Sequence, residues 1–388
     1  MSISLGIVGV GQFGRGFIEL FQKHPLVSRV ALCDVQTERL TAAAQQFGIA
    51  ETYSSLDEIC KSDLDALAII TQPWLHAPQV VQALQTGKHV YSAVPMAYAE
   101  NGDEVLEWCD RIIETCRTTG LHYMMGETSY YRPEAMYCRK RAAAGAFGKF
   151  VHADGAYLHD VESPDCNLLD VWKARWGKDW TPAKSGGVPM HYPTHSTGGF
   201  LSVMGAYVTE LSAFGFHDPD DKFHRADTES GNIYGDEIAL MRLSNGAMAT
   251  VKEFRRVGAW EYEGFSLMGT RGSFIDSFGH CCWQAPHHEG SITLTATEMR
   301  DLLPEEIAKA FSNAKGETQY GGHGGSHAYL VHEFVDAVAH DRHPAINAWT
   351  ATRYLAPGVI AHKSVLRGGE LLKVPDWGDA PGHKTSNT

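Results

Sequence analysis

The chain has 388 residues, 44% hydrophobic and 20% charged, which supplies two full cores and does not fit a disordered or fibrous chain. With 33 basic against 46 acidic residues the formal net charge is -13, which repels phosphate backbones and anionic lipids, so neither nucleic acid nor a membrane is expected as a partner. Eight cysteines, Cys166 among them, contain no C-x-x-C pair and read as reduced thiols of a cytoplasmic protein. No stretch approaches the ~18 apolar residues of a membrane span, and with the apolar run from Ile3 to Val8 opening the sequence no targeting leader is expected.

Short apolar runs alternate with amphipathic ones over the first third. Strands are expected at Ser4 to Val8, Ser28 to Cys33, Ala66 to Ile70, His89 to Ser92 and His122 to Met125. Helices are expected near Gly14 to Lys23, Thr37 to Phe47, Ser55 to Ile59, His76 to Thr86 and Asn101 to Thr119. Strict strand and helix alternation means parallel strands with right-handed crossovers.

The first strand runs into Gly9-Val10-Gly11-Gln12-Phe13-Gly14, a G-x-G-x-x-G that opens a helix. Gly9 permits the tight turn, Gly11 lets the backbone approach a pyrophosphate, and Gly14 lets helix and strand pack closely. Asp34 follows Gly14 by twenty residues at the end of the second strand. A carboxylate there accepts both adenosine ribose hydroxyls and repels a 2'-phosphate, so the expected cofactor is NAD rather than NADP. Arg39 is the one basic residue nearby that argues for the phosphorylated form.

Ile69-Ile70-Thr71-Gln72-Pro73-Trp74-Leu75-His76, followed by Ala83-Leu84-Gln85-Thr86-Gly87-Lys88-His89-Val90, resembles the Gfo/Idh/MocA family of sugar-acting oxidoreductases. That family reads T-P-N-x-x-H, A-L-x-x-G-K-H-V and E-K-P in these places. By resemblance, Thr71, Pro73, His76, Val94 and Pro95 join Gly9, Gly11, Gln12, Phe13, Gly14 and Asp34 in holding NAD. Two departures stand out: Gln72-Pro73 replaces Pro-Asn, and Ala93-Val94-Pro95 replaces Glu-Lys-Pro. The family lysine holds the reacting hydroxyl near the nicotinamide, whereas Val94 neither donates nor accepts a proton. Val-Pro followed by small residues resembles a branch that includes NAD-dependent glycosidases acting on α-N-acetylgalactosaminides.

Beyond about residue 126 the pattern changes to longer strands joined by hairpins: Phe150 to His159, Asn232 to Leu243, Ala247 to Arg255, Phe265 to Met268 and Gly272 to Asp276. Helices are expected at His195 to Met204, Ser326 to His340 and Thr350 to Leu366, the last interrupted at Pro357-Gly358. Cys281-Cys282 is read as a loop pair, and the tail after Trp377 as polar and loose. The expected fold is α/β: a Rossmann dinucleotide-binding domain over residues 1–126, then a substrate-binding and oligomerisation domain over 127–388 with an open, mainly antiparallel sheet. The resemblance implies that the exposed sheet face makes a homodimer or homotetramer.

Gly187-Val188-Pro189-Met190-His191-Tyr192-Pro193-Thr194-His195 aligns with the family pattern G-x-x-x-D-x-G-x-H, whose aspartate and histidine contact substrate hydroxyls. His195 falls on the histidine, and His191 replaces the aspartate. A histidine that starts a helix meets the positive end of the dipole, which favours neutral imidazole and suits His195 to be the leading base. Tyr157 and His159 share one face of a strand, with Tyr157 and His191 as secondary proton carriers. Trp172, Trp176 and Trp180 recur at intervals of four among Lys173 and Arg175. One or two of these indoles are expected in the core, with Trp176, Arg175, His159, Tyr192, His323 and His327 contacting substrate. The pairs His191/His195 and His323/His327 do not complete a metal-ligand set, and no metal is expected. The expected activity is hydride transfer on a pyranose or glycoside, at C3. A redox-neutral NAD-dependent glycosidase and a non-catalytic NAD-bound sugar sensor stand as alternatives.

Overall fold

A computed structural model describes residues 2–164 and 168–382. Cys166 and the last six residues of the polar tail lie outside them; the seven described cysteines are free thiols. The first elements are β1 (Ile3–Val8), α1 (Gln12–Lys23), β2 (Val27–Cys33), α2 (Thr37–Phe47), β3 (Thr52–Tyr53), α3 (Leu56–Cys60), β4 (Ala66–Ile69), α4 (Pro73–Gln85), β5 (His89–Ser92), α5 (Gly102–Thr119) and β6 (Tyr123–Met125). The six strands are all parallel in the order β3-β2-β1-β4-β5-β6. That order reverses between β1 and β4, which opens a crevice at the carboxyl ends of the strands. Helix α4 begins at Pro73, three residues before the expected start, because a proline is preorganised for the first helical turn and its missing N–H costs nothing there.

The second part contains α6 (Pro133–Ala143), β7 (Phe150–Leu158), α7 (Leu168–Trp176), α8 (Thr194–Met204), β8 (Val208–His217), β9 (Tyr234–Leu243), β10 (Met248–Phe254), β11 (Tyr262–Gly269), β12 (Ser273–Ser277), β13 (His280–Ala285), β14 (Gly290–Leu294), α9 (Ala296–Met299), α10 (Glu305–Ala310), α11 (Ser326–Ala339), α12 (Ala348–Leu366) and β15 (Leu372–Lys373). The strands form one nine-stranded sheet, β14-β13-β12-β11-β7-β10-β9-β8-β15. Only β7 and β10 run parallel in it. One face packs under α8 and α12, and the other is open. Phe214, Ile238, Leu240, Met248 and Met268 project from the open face as exposed apolar side chains.

Two expectations need correction. Cys281 and Cys282 lie in β13, paired with β12, rather than in a loop; strand alternation buries Cys281 and leaves Cys282 partly exposed. Helix α12 runs unbroken through Pro357. Gly358 has a packing role there, since a Cβ would stand 2.1 Å from the Met190 carbonyl oxygen; its absence seats the segment carrying His191 and Tyr192 against the helix. Among the described residues no helix is long and apolar enough to cross a membrane.

Candidate active site

A cleft of about 1270 Å³ opens where the carboxyl ends of the parallel strands face the second sheet. Gly9, Gly11, Gln12, Phe13, Gly14, Asp34, Thr71, Pro73, His76 and Val94 line one side of it. Gly9 has φ +92°, and a Cβ there would sit 2.3 Å from the Ile70 carbonyl oxygen. A Cβ on Gly14 would sit 2.1 Å from the Gly9 carbonyl oxygen, so this glycine allows α1 to start directly against the turn. At Gly11 a Cβ would meet only the Arg39 guanidinium, at 4.0 Å, and would project into open space. The loop therefore forms a cradle for a pyrophosphate at a helix N-terminus. Asp34 Oδ2 accepts the Val10 N–H (3.0 Å) and Oδ1 the Gln36 N–H (2.9 Å), with Arg39 Nη1 at 3.5 Å. This carboxylate thus also ties the glycine loop to the end of β2. His76 Nδ1 donates to the Pro95 carbonyl (2.8 Å), and burial lowers the ring to about 4, so it is a neutral fixture. Pro95 itself follows a cis bond from Val94 and supports the site from behind His76 without lining the cleft.

The opposite side carries Tyr157, His159, Arg175, Trp176, Tyr192, His195, His323 and His327. Glycines bring these together. A Cβ on Gly155 would stand 2.0 Å from the Ser196 carbonyl oxygen, so β7 lies directly against the first turn of α8 and Tyr157 comes within 5.0 Å of His195, ring to ring. On the other side of the same helix, a Cβ on Gly198 would crowd Glu127 Cγ at 2.9 Å. Glu127 thereby reaches His195, whose Nδ1 donates to Glu127 Oε1 at 2.9 Å and lies 3.4 Å from Glu263 Oε1.

This contact overturns the expected neutral imidazole at His195. Burial pulls its pKa down, but the charges of Glu127 and Glu263 outweigh burial and hold it up at about 9. Glu127 responds in kind: burial would raise it, yet the imidazolium keeps it down at about 2. With Nδ1 committed to Glu127, Nε2 is the nitrogen left for a ligand in the cleft. Glu127, His195 and Glu263 present donor atoms within 4.8 Å of one another, but Arg132 also pairs with Glu263, so the group balances its own charge as a salt-bridge network.

Tyr157 donates its hydroxyl to His159 Nδ1. The Arg255 guanidinium lies 4.5 Å from the Tyr157 ring centroid and is held by Glu253 at 2.7 Å. Burial pushes the Tyr157 phenol well above its ordinary value, with Arg255 partly opposing it, so the phenol is neutral. Burial and then Arg255 bring His159 down to about 3. The Tyr192 hydroxyl donates to the Val94 carbonyl (3.0 Å), which ties the substrate side to the position of the missing lysine.

His191 is a second correction: it does not line the cleft. It is 1% exposed, its Nδ1 bonds the Ala99 carbonyl at 2.9 Å, and its ring packs against Tyr98 and His362. Burial and then His362 lower it to about 3, so it is a neutral packing group. Of the three tryptophans, Trp172 is buried in a small cluster with Val161, Leu168 and Phe223, and Trp180 packs against that cluster. Trp176 lines the cleft and stacks on Trp74 of α4 at 5.2 Å. His327 stacks on Phe17 at 4.3 Å, and its Nδ1 accepts the Gly322 N–H (3.3 Å), so its Nε2–H donates to His323 Nδ1 at 3.0 Å. His323 is left with Nε2 as a donor near the glycine loop.

Sequence reasoning missed Glu127, Arg255 and Glu263. Glu127 follows the last parallel strand at the mouth of the crevice. Glu253, Arg255 and Glu263 are charged residues at or next to the ends of β10 and β11, at positions whose alternation calls for core residues, and that signal was readable.

A parallel sheet in this strand order, a glycine cradle with a carboxylate at the end of β2, and an open antiparallel sheet bearing the polar groups define a dinucleotide-binding oxidoreductase of two parts. The sequence matches the model of the oxidoreductase family NAD-binding Rossmann fold over residues 3–127 and that of its C-terminal alpha/beta domain over residues 156–372. The chain belongs to the Gfo/Idh/MocA oxidoreductase family; it is an enzyme, and its cofactor is NAD. A glycosyl hydrolase family 109 protein of Solibacter usitatus is 24% identical over 404 residues, covering 97% of this chain and 88% of that one. A protein of the same description from Porphyromonas gingivalis is 32% identical over 212 residues, 51% of this chain and 42% of the relative. Levoglucosan dehydrogenase, solved with NADH and levoglucosan, shares the fold with a TM-score of 0.75 at 18% identity, covering 97% of this chain and all of that one (100%).

Proposed function

We propose that the chain is a cytosolic enzyme that acts on a pyranose glycoside, oxidising a ring hydroxyl at C3 and releasing the C1 substituent while its NAD is recycled. The observation that carries this reading is the composition of the cleft. Val94 lines it where the family lysine would stand, while Tyr157, His159, Tyr192 and His195 line it from the other side. A dehydrogenase needs one group to take one hydroxyl proton. Cleavage needs more: a proton must leave C2, one must reach the departing oxygen, the enolate between them must be stabilised, and water must then add at C1, with a proton returning to C2, before the hydride goes back to C3. The Solibacter relative, matched over nearly the whole chain, supports the same reading through its description as a glycosyl hydrolase.

Gly9, Gly11, Gly14 and Asp34 would hold the NAD, which when bound supplies a hydride acceptor and donor at its nicotinamide. The protein's own groups divide the proton work. His195 is an imidazolium, fixed by Glu127, and its Nε2–H is suited to bind an oxygen that gains negative charge as a ketone or enolate forms. Tyr157 exchanges a proton with the substrate through its bond to His159, and Arg255 under its ring lowers the cost of the phenolate. Arg175, Trp176 and Tyr192 position the sugar, and His323 sits toward the cofactor loop. The partner is a small-molecule sugar or glycoside, and the apolar open sheet face makes the enzyme a homodimer or homotetramer.

Incubating the purified enzyme with aryl glycosides in deuterated water, without added NAD, tests this. Many turnovers of released phenol, deuterium at C2 and no accumulated NADH are expected. NADH and a keto-sugar formed in equal amounts from an intact glycoside would refute the cycle and leave a plain sugar dehydrogenase.

A further inference from the structure

The cleft is not the only cavity that reaches His195. A second one, of about 410 Å³, is lined by His195, Glu261 and Glu263, which it shares with the main cleft, and extends past them over the core-facing side of β11 and β12. Its walls are Arg132, Glu134 and Asp276, and exposed Trp260 and Phe278 stand at its rim. The space is within the range of ligand sites, and it continues from the catalytic histidine instead of lying apart from it.

Its charge is unbalanced. Arg132 is committed to Glu263, through the side-chain carboxylate and through a 2.8 Å bond from Nη1 to the Glu263 carbonyl. Glu134, Glu261 and Asp276 have no salt-bridge partner among the described residues. Burial raises all three carboxyls, and the Arg132 guanidinium, already paired with Glu263, only partly opposes it. Glu263, with its side chain 5% exposed, keeps Oε1 free of any hydrogen bond, 3.4 Å from His195 Nδ1. Gly264 leaves room for the Asp276 carboxylate and the Tyr262 hydroxyl, since a Cβ there would stand 2.4 Å from Asp276 Oδ2. These three carboxylates do not converge on a point as metal ligands do; the group of donors that does converge is Glu127, His195 and Glu263. Spread carboxylates with aromatic rings at the mouth fit an organic cation, whose ammonium bonds acids while its ring or carbon frame lies on Trp260 and Phe278.

We propose that this annex is the subsite for the group attached to the reacting sugar, and that it selects an amine-bearing one, such as an amino sugar with a free amine. The proposal rests on the glycosidase reading for the group's role as leaving group, but not for its binding.

Two glycosides of the same sugar test it on the NAD-loaded enzyme, one with a 4-(aminomethyl)phenyl aglycone and one with a 4-(hydroxymethyl)phenyl aglycone, across a panel that includes α-N-acetylgalactosaminides and α-glucosides. The cationic aglycone should be favoured at least tenfold in kcat/KM, and 0.5 M salt should erode the preference. Asp276→Asn and Glu134→Gln should each reduce it severalfold while cleavage of the neutral glycoside stays at wild type, which also shows that the variants fold. Equal rates on the two aglycones, or a preference that survives both substitutions, would overturn it. If neither glycoside is cleaved, the glycosidase reading fails, and calorimetry with 4-(aminomethyl)phenol and 4-(hydroxymethyl)phenol reads the annex directly. A tenfold preference lost in Asp276→Asn then upholds the cation subsite, whereas equal affinities reject it. Loss of the preference on treatment with a chelator would assign the acids to a divalent metal and also reject it.

Discussion

Glu127→Gln removes the charge that keeps His195 protonated and leaves shape and hydrogen-bonding capacity nearly unchanged. In the wild type the buried pair is formed by a carboxylate held at about 2 and an imidazole held at about 9, with 2.9 Å between them. Removing one partner of a buried pair costs about 3–5 kcal/mol when the other must stay charged. Here His195 can shed its proton, and Glu263 remains nearby, so about 3 kcal/mol is expected at neutral pH and below. The pH dependence carries the stronger test. His195 has a folded pKa raised above its unfolded value of 6.5, so the stabilisation from its proton is fully present below 6.5 and is lost as pH rises through about 9. Glu127, with its pKa depressed, contributes above its unfolded 4.5 and loses its contribution only near 2. The difference between wild type and Glu127→Gln should therefore be largest near pH 6 and shrink toward pH 10, where wild type keeps a buried carboxylate beside a neutral ring. Urea unfolding followed by tryptophan fluorescence at pH 6, 8 and 10 reads this. A destabilisation of the same size at pH 6 and pH 10 would show that Glu127 acts through packing alone and would remove the imidazolium from the site.

Asp34→Ala should weaken NAD binding about 10²-fold, from the loss of hydrogen bonds to a charged acceptor at about 1.5–3 kcal/mol each. It should also improve NADP binding relative to NAD, because Arg39 loses the carboxylate it now approaches at 3.5 Å; titrating both cofactors by fluorescence checks it, and an unchanged NAD/NADP ratio would take Asp34 out of the ribose site. Sedimentation at micromolar concentration should show a dimer or tetramer, and a Phe214→Glu, Leu240→Glu double substitution on the open sheet face should yield monomers; a wild-type monomer would contradict the interface.

The Rossmann fold was readable because its signals are local. A glycine that needs φ +92° and a carboxylate at a strand end mark the first turn and the end of β2 without help from distant residues, whereas Pro95, expected at the cofactor, stands behind His76. The second half was less legible. Strand β8, with Phe214 and Phe216 on its open side, carries apolar residues on both faces over part of its length, so it lacks the clean alternation that reveals β9 and β10. His191 was expected in the site because it stands where the family pattern has its aspartate, yet Tyr192 intervenes in a turn and the chain points His191 toward Ala99 and α12. A motif on one chain segment could not show that, because the contacts that decide it come from residues 92 and 171 positions away.

The protonation of His195 shows why the local argument gave the wrong sign. A helix N-terminus disfavours a positive charge by about 0.3–1 kcal/mol, reaching ~2 in partly buried settings. A carboxylate in contact at 2.9 Å, in a site where water does not screen it, outweighs that several times over. The helix was correctly placed in the sequence, whereas Glu127 arrives from 68 residues away, at the end of the other sheet. One consequence follows for the chemistry. At neutral pH the groups facing the cleft are a charged donor at His195, a neutral phenol at Tyr157 and a weakly basic His159. In the proposed cycle such a set stabilises the enolate and protonates the departing C1 oxygen, while the C2 proton must be taken by Tyr157 as a phenolate beside Arg255, the step for which these groups are least poised.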